Sequence, residues 1–390
     1  MNTGFNESNY TKLKEYVFNF EIDSITTSLC HHCTRHVPAI RFFKNGKVYI
    51  AKICNEHGIT EYLIESSQEF YQSLIYDLSE PKFDFNRGLI TEVTDRCNLE
   101  CPHCYHIPNQ NPDISIDDVI LKLKLADIDF TRIVLAGAEP TVRPDFFKLV
   151  TAIRETFPGT DISVMTNGIA FGKRWFAKAA IESGLTGINI GLNHPSYNDI
   201  DTVRRKQESA IDIMHEEQLF IGYVSYTMSS TTELPDILNE IVTTPWTPKT
   251  FRVRIGSDIG RYDPTTDVIY LSDLFHLTEK WCNENGVEFR VINPADNNIY
   301  HIMVNVGGKI VRLINWCDKY NIDLEFLRSG PWCNFTTDGV TNFLHQIIRR
   351  DFQKNLNILL PDLPPVRYTY RGLDCSKKLN TLSDITKNKP

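Results

Sequence analysis

Three cysteines lie close together in one short segment of the chain. Cys97, Cys101 and Cys104 are separated by three and two residues, and they directly follow Leu89–Thr94, a run whose residues predict a strand. Three thiolates on one loop provide three of the four ligands that a cubane iron–sulfur cluster takes. The remaining iron is then open to a substrate or cosubstrate, as a reactive metal centre requires. The spacing therefore predicts a [4Fe–4S] cluster; a zinc site or unrelated thiols are the alternatives.

A second set of metal ligands comes earlier in the chain. Two pairs, each with two intervening residues, are separated by twenty residues: Cys30 and Cys33, then Cys54 and His57. Four such ligands suit a closed tetrahedral zinc site, although His31 or His32 could replace a neighbour. Apolar runs on either side of Asn45-Gly46 predict a β-hairpin between the pairs. We therefore expect a small zinc knuckle, with a rubredoxin-like iron site or unbound cysteines as alternatives.

From about residue 88 the sequence alternates between strand-like and helix-like segments. This order predicts a parallel sheet with right-handed crossovers and an active site at the C-terminal ends of its strands. The predicted fold class is α/β: a partial (β/α)6 TIM-type barrel with a small N-terminal zinc-knuckle unit and an α+β C-terminal extension. The six predicted strands are Leu89–Thr94, Arg132–Leu135, Asp161–Met165, Gly187–Leu192, Phe220–Thr227 and Phe251–Ile255.

We divide the chain into three regions on this basis. Residues 1–80 form the zinc-knuckle region, and residues 81–262 form the barrel core. Residues 263–390 are expected to close the barrel and shape the substrate pocket. Within this last region, Gly307-Gly308 lies between two apolar runs and predicts a second hairpin.

The composition excludes some classes of protein. The 390 residues carry a net charge of -8, so the chain gains no overall attraction to nucleic acid or anionic lipid. No apolar run of about 18 residues predicts a membrane span, and the polar N-terminus lacks the apolar core of a signal peptide. We therefore expect a cytoplasmic protein without a membrane span, in which closely spaced cysteines bind metal rather than form disulfides.

The cysteine triplet, followed by the aromatic Tyr105, resembles the signature of the radical S-adenosylmethionine (SAM) superfamily. The resemblance implies that SAM binds the open iron through its amino and carboxylate groups. It further implies that electron transfer to SAM yields a 5′-deoxyadenosyl radical, which abstracts hydrogen from a substrate. A reductant such as flavodoxin or ferredoxin would supply the electron. The cofactors carry the radical chemistry, and the protein binds and orients them.

Other segments support this resemblance. Gly137–Pro140 is similar to the Gly-Gly-Glu-Pro loop of the family, with Ala138 in place of the second glycine. Asn193 takes a position where many relatives have Asp. Arg204 follows it at the spacing at which relatives have an arginine near the SAM carboxylate, and Arg205 is the alternative for that role. The resemblance implies that SAM contacts come from Ala136, Gly137, Ala138, Glu139, Thr166, Asn167, Asn193, Arg204 and Ser225.

The N-terminal ligand set also resembles a known arrangement. It is similar to the knuckle of a radical SAM subgroup that includes archaeal lipid-coupling and pterin-methylating enzymes. Within the predicted core, Arg252 and Arg254 are two residues apart and therefore share one face of the sixth strand. If that face points inward, they imply an anionic substrate or the SAM carboxylate; if outward, they are ordinary surface charges.

The leading functional hypothesis is a radical SAM enzyme that acts on an unidentified small molecule, nucleotide or nucleic-acid base. A phage-type enzyme that modifies nucleotides or DNA bases is one alternative. A non-catalytic zinc module on a degenerate barrel is another, and a zinc hydrolase is disfavoured because four protein ligands leave no open position. Cys282 is predicted to be a core thiol. Cys317, Cys333 and Cys375 are free thiols or, alternatively, ligands of an auxiliary cluster.

Overall fold

The structure is a computed structural model, and it arranges the chain around two β-sheets. It describes residues 7–30, 32, 36–73, 88–101, 104, 112–125, 131–193, 200–255, 269–292, 301–315 and 366–369. The N-terminal sheet has four antiparallel strands and the second sheet has ten strands. The predicted α/β class with a small N-terminal unit is confirmed.

The N-terminal sheet is a meander in the order β1-β2-β3-β4. The predicted hairpin corresponds to β2 and β3, which meet at Asn45 and Gly46 with φ of 53° and 72°. Positive φ at both positions is what a tight two-residue hairpin requires. The outer strands were not predicted. The elements of this unit are α1 (Glu7–Tyr16), β1 (Glu21–Leu29), β2 (His36–Lys44), β3 (Lys47–Cys54), β4 (Gly58–Glu65) and α2 (Gln68–Ser73).

The large sheet contains the six predicted parallel strands in sequence order. They are β5 (Gly88–Thr94), β6 (Arg132–Gly137), β7 (Asp161–Thr166), β8 (Gly187–Asn193), β9 (Phe220–Met228) and β10 (Thr250–Ile255). The helices of this region are α3 (Ile116–Leu125), α4 (Phe146–Thr156), α5 (Arg174–Glu182), α6 (Ile200–Glu216), α7 (Leu234–Thr243) and α8 (Leu271–Glu284). The β/α alternation is therefore confirmed, although α6 begins earlier than its apolar periodicity indicates.

Further strands extend both ends of the parallel sheet. They are β11 (Phe289–Val291), β12 (His301–Val306), β13 (Lys309–Ile314) and β14 (Val366–Thr369). The predicted second hairpin forms β12 and β13, and β13 pairs with β10 while β14 pairs with β5. The described strands do not close a barrel, because β11 and β14 are the two ends of the sheet. The described C-terminal strands therefore widen the sheet, and closure of the barrel by residues 263–390 stays a prediction.

The two faces of the parallel sheet differ in chemistry. Side chains of one face pack with the helices in a single apolar core; Ile133, Ile190 and Val253 are among them and are fully buried. Alternating residues of the strands therefore point to the opposite face. That face, called the polar face below, carries Glu92, Ser163, Asn189, Ser225, Thr227, Arg252 and Arg254.

The two sheets are joined through β4 and α8. The buried Glu65 carboxylate, at the end of β4, accepts hydrogen bonds from the Ser272 backbone N–H and hydroxyl in the first turn of α8. A carboxylate there satisfies an amide that the helix itself leaves unpaired. Phe70 of α2 packs against Phe275 of α8 with ring centroids 5.2 Å apart. Among the described residues, no helix has the length and apolar character needed to cross a membrane.

Candidate functional site

The three clustered cysteines lie where the first parallel strand ends. Cys97, Cys101 and Cys104 are half-buried and follow β5 directly. The Leu99 backbone N–H donates to Cys97 Sγ at 3.3 Å, and the Cys104 N–H donates to the Cys101 carbonyl at 3.2 Å. The three thiols therefore lie beyond the C-terminal edge of the sheet, the usual position for an active site in such folds.

Burial makes the charged form of one of these thiols costly. It raises the pKa of the Cys97 thiol to about 12, and the charges of Glu139, Cys101 and Cys104 act in the same direction. A bound metal would favour the thiolate form of Cys97. The amide hydrogen bond to Cys97 Sγ is also of the kind that tunes cluster sulfurs. The donor set fits a cluster with three protein ligands.

An ion pair closes the base of the loop that carries the cysteines. The Arg96 guanidinium binds both carboxylate oxygens of Asp113, one of them through Nε at 3.2 Å. The Thr94 hydroxyl donates to the same carboxylate at 2.5 Å. A third contact comes from the buried Arg143, whose Nη1 donates to the carbonyls of Val93 and Ile114. The two ends of the loop are therefore held together independently of any metal.

The loop after β6 lies against the start of the cysteine loop. The Ala138 N–H donates to the Thr94 carbonyl at 3.0 Å, and the Glu139 N–H donates to the Arg96 carbonyl at 3.0 Å. Gly137 has φ of 121°, and a Cβ there would collide with the Thr94 carbonyl oxygen. This close approach requires glycine. Ala138 does not adopt a positive φ, so replacing the second glycine of the motif leaves this backbone unstrained.

Glu139 connects this loop to the end of β7. Its side chain is 1% exposed, and it accepts hydrogen bonds from the Thr141 N–H and hydroxyl, the Thr166 hydroxyl and the Asn167 N–H. Burial raises the pKa of the carboxyl, while these donors oppose the shift. A buried acceptor with this many donors fixes the relative positions of two strand ends. Glu139 is therefore placed as a support for the loops, and its contact with SAM stays a prediction.

Asn167 extends the same network to the cysteine loop. Its Nδ2 donates to the Asn98 Oδ1 at 2.8 Å, which joins the end of β7 to the residue after Cys97. On the other side, the buried Gln207 of α6 donates through Nε2 to the Asn167 and Gly191 carbonyls, each at 2.9 Å. The ends of β7 and β8 are thus connected to the cluster loop. Gln207 was not predicted from the sequence, because a glutamine within an amphipathic helix resembles ordinary surface.

The remaining predicted SAM contacts lie in different environments. Ser225 is on the polar face, in register with Gly191 of β8 and Arg252 of β10. Ala136 is on the same face of β6, in register with Glu92 of β5. Asn193 ends β8 in register with Thr227. The structure gathers Gly137–Glu139, Thr166 and Asn167 around the cysteine loop, whereas Ser225 and Asn193 lie on more distant strands.

Arg204 occupies the helix side of the sheet. It is 7% exposed, and its guanidinium pairs with Glu208 at 3.1 Å and with Glu240 of α7. It also lies over the ring of Tyr226, whose centroid is 5.5 Å from Cζ. Burial disfavours the charged form, but the neighbouring carboxylates, Glu240 above all, raise the pKa of Arg204. With its charge already compensated, Arg204 is placed to hold α6 against α7. A contact with SAM remains a prediction.

Three of the four predicted zinc ligands converge at the tips of the N-terminal sheet. His57 Nδ1 lies 3.5 Å from Cys30 Sγ and 3.3 Å from Cys54 Sγ, and the three ligand atoms are all within 4.8 Å of one another. Tetrahedral zinc with ordinary bond lengths separates sulfur and nitrogen ligands by about 3.6 Å. The donor set therefore fits zinc. Cys33, the predicted fourth ligand, lies outside the described residues, as does Tyr105.

Comparison with known families agrees with both sites. Residues 91–216, which include the cysteine triplet, match the radical SAM superfamily. The chain therefore contains a radical SAM domain over these residues. Residues 22–66, a segment that includes Cys30, Cys54 and His57, match the HMPTM N-terminal zinc ribbon domain. In the radical SAM superfamily the cluster cysteines hold a [4Fe–4S] cluster that binds SAM, and the ribbon accounts for zinc as the N-terminal metal.

Similar proteins include enzymes with two different activities. The 7,8-dihydro-6-hydroxymethylpterin dimethyltransferase of Methanocaldococcus jannaschii is 28% identical over 203 residues, which are 44% of this chain and 40% of that protein. The GTP 3′,8-cyclase of Limosilactobacillus fermentum is 34% identical over 125 residues, 30% of this chain and 36% of that protein. The chain therefore spans about two fifths of the length of these relatives.

Among solved structures, Streptococcus suis SuiB bound to the precursor peptide SuiA matches this chain with a TM-score of 0.40. The two are 13% identical, and the match covers 68% of this chain and 71% of SuiB.

The residues that support the loop with the three cysteines had only a weak signal in the sequence. Arg96 is adjacent to the first cluster cysteine, but its partner Asp113 is 17 residues away. Cys282 is fully buried in the core, as predicted, and burial raises its pKa to about 11. The possible auxiliary cysteines Cys317, Cys333 and Cys375 lie outside the described residues.

Proposed function

We propose that this chain is a radical SAM enzyme whose cluster is held by Cys97, Cys101 and Cys104. The observation that carries the proposal is the position of these thiols at the end of β5, tied by Thr94 to the loop after β6. When bound, the cluster and SAM supply a 5′-deoxyadenosyl radical that abstracts hydrogen from the substrate. The protein's part is to hold cofactor and substrate in a fixed geometry and to exclude side reactions.

Each strand end contributes to that geometry. Glu139 holds the loops after β6 and β7 together, and the pair Asn98–Asn167 ties the second of these loops to the cysteines. We assign the backbone of Gly137 and Ala138, and the side chain of Asn167, to contacts with SAM. The half-buried Gly137 and Ala138 are close to the cysteine loop, as such contacts require. An external one-electron donor of the flavodoxin or ferredoxin type is proposed as the reductant.

For the substrate we propose a nitrogen heterocycle of the pterin or purine-nucleotide class. The named relatives act on a hydroxymethylpterin and on GTP, which share a fused aminopyrimidinone ring. Supporting this, the polar face offers hydrogen-bonding groups on neighbouring strands, among them Ser163, Asn189 and Ser225. The Ser163 hydroxyl is buried and has no hydrogen-bond partner among the described residues. Modification of a nucleotide or DNA base falls within the same substrate class.

The proposed reaction is tested by reductive cleavage of SAM. The full chain is reconstituted anaerobically with iron and sulfide, then mixed with dithionite and SAM, and 5′-deoxyadenosine is measured by mass spectrometry. We expect 5′-deoxyadenosine from the wild type and from Cys282→Ala, which removes a core thiol. Cys101→Ser is expected to form none, because one of three cluster ligands is lost.

Two outcomes contradict the proposal. A reconstituted wild type with a full complement of iron and sulfide that forms no 5′-deoxyadenosine indicates a non-catalytic barrel. If Cys101→Ser binds as much iron and sulfide as the wild type, Cys101 is not a cluster ligand.

A further inference from the structure

Arg252 and Arg254 of β10 point to the polar face. Their neighbours Phe251 and Val253 are buried in the helix-side core, so the intervening side chains leave the opposite face of the strand. The contacts agree: Arg252 Cζ lies 3.5 Å from the ring centroid of Tyr223, and Arg254 Nε donates to the Thr227 hydroxyl at 2.6 Å. Of the two orientations that the sequence left open for Arg252 and Arg254, the structure therefore shows the inward one.

A third arginine lies beside them. Arg312 of β13 is in register with Arg252 on the adjacent parallel strand, so the two side chains leave the same face. Arg312 contacts the Met303 sulfur through Nη2 at 3.5 Å. The resulting group, called the arginine group below, consists of Arg252, Arg254 and Arg312 on two neighbouring strands.

The charges of β10 lack compensation by acidic side chains. Within the described ranges, neither Arg252 nor Arg254 forms an ion pair, and the buried Nε of Arg252 has no hydrogen-bond partner. Burial lowers the pKa of Arg252, and the charge of Arg254 acts in the same direction. Half-buried like charges with unused donors are costly unless an anion occupies the space between them. By contrast, Arg143 and Arg204 pair with carboxylates.

The arginine group lies on other strands than the cluster cysteines. In the sheet order, β10 lies five strands away from β5, which carries the cysteines. Strands are spaced by about 4.8 Å, so the path along the sheet from β5 to β10 is about 24 Å. SAM that binds the cluster iron through its carboxylate has that group beside β5. An anion at β10 and β13 therefore contacts strands other than the one that carries the cluster, and competition with SAM distinguishes the two molecules.

We propose that the arginine group binds an anionic group of the substrate, a phosphate or a carboxylate. Fork-shaped guanidinium groups suit such planar or tetrahedral anions because they donate two parallel hydrogen bonds. The inference rests on the proposed function in placing the substrate on the polar face. It narrows the proposed substrate class to molecules that carry a phosphate or a carboxylate.

The test measures binding of radiolabelled inorganic phosphate to the reconstituted full chain by equilibrium dialysis. We expect saturable binding by the wild type and at least about tenfold weaker binding by Arg252→Gln/Arg254→Gln, since charge-assisted hydrogen bonds are lost. The control is Arg290→Gln on β11, an exposed arginine paired with Glu288, which retains wild-type binding. Acetate is expected to compete with phosphate. Saturable binding that the double variant retains, or no saturable binding by the wild type, overturns the proposal.

A second experiment distinguishes an anionic group of the substrate from the carboxylate of SAM. Excess SAM is added to the phosphate-bound wild type, and we expect phosphate to remain bound. Displacement of phosphate by SAM assigns the arginine group to the SAM carboxylate and overturns the substrate assignment. Phosphate binding needs no SAM cleavage, so a chain that binds phosphate at this group without forming 5′-deoxyadenosine retains the site and contradicts only the proposed reaction.

A third measurement needs no substitution and is therefore independent of whether the variants fold. Phenylglyoxal modifies accessible arginines, and mass spectrometry identifies the modified residues of the wild type. Phosphate is expected to slow modification of Arg254 and Arg252 several-fold while leaving Arg290 unchanged. Equal protection of all three arginines contradicts a specific site.

Discussion

Arg96 and Asp113 form a two-pronged ion pair across the base of the cluster loop. The pair joins the residue before Cys97 to the segment that leads into α3. Its guanidinium and carboxylate are largely shielded from water, with 28% and 13% of the side chains exposed. The loop that presents the cysteines is therefore closed by protein contacts before a metal binds, which lowers the entropy cost of assembling the cluster.

Removing this pair should make the cluster more labile. In Asp113→Asn the charge of Arg96 loses its partner, at a cost of about 1–3 kcal/mol. We expect iron to be released to a chelator several-fold faster than from the wild type, measured by absorbance of the iron–chelator complex. Asp117→Asn, at an exposed position in the first turn of α3, is the matched control. Equal release rates for both variants would show that the pair does not support the cluster.

The N-terminal metal should be zinc and should stabilise the first sheet. In Cys54→Ala we expect zinc content, measured by inductively coupled plasma mass spectrometry, to fall from about one per chain to near zero. Structural zinc contributes about 10 kcal/mol or more to folding of small units, so residues 7–73 should become sensitive to protease. His276→Ala, an exposed histidine on α8, retains zinc. Full zinc content in Cys54→Ala would contradict the ligand assignment.

A substitution of Arg204 distinguishes a structural role of this residue from a role in SAM binding. In Arg204→Met the carboxylate of Glu240 loses its cation, and we expect a loss of about 1–3 kcal/mol of stability because the pair is only partly buried. The melting temperature should fall while the SAM dissociation constant stays within about twofold of wild type. Arg205→Met, at the exposed neighbouring position, controls for loss of charge. A SAM dissociation constant raised about tenfold or more would instead place Arg204 at the SAM carboxylate.

Glu65 should make the stability of the joined units depend on pH. Burial raises the pKa of its carboxyl above the model-peptide value of 4.5. The folded state then holds the proton more tightly than the unfolded state, so the contribution of Glu65 is greatest below pH 4.5. It is lost as pH rises from there through the raised pKa.

The measurement compares melting temperatures of Glu65→Gln and the wild type across this pH range. We expect the variant to gain stability relative to the wild type as pH rises, because glutamine has no proton to lose. Glu69→Gln, on an exposed position of α2, should follow the wild type at every pH. A difference between Glu65→Gln and the wild type that is constant with pH would contradict the assignment.

Local chemistry accounts for the parts of the fold that were predicted from the sequence. The strands β5–β10 consist of short apolar runs, and the turn at Asn45-Gly46 requires positive φ. Such features depend on neighbours within a few residues, so they are visible without a structure. The strands β1 and β4 were missed because their polar residues conceal the alternation. The early start of α6 was missed because its first turns carry charges, including Arg204.

The sequence by itself determined the order of the parallel strands, and it predicted the metal ligands. Spacing along the chain is enough for Cys97, Cys101 and Cys104, since all three sit on one loop. Only the tertiary structure decided which face of β10 carries Arg252 and Arg254, and that Arg204 lies among the helices. Alternation shows which residues share a face, but packing between distant segments decides which face is covered. The pair Arg96–Asp113 likewise depends on tertiary structure, because its two residues are 17 positions apart in the chain.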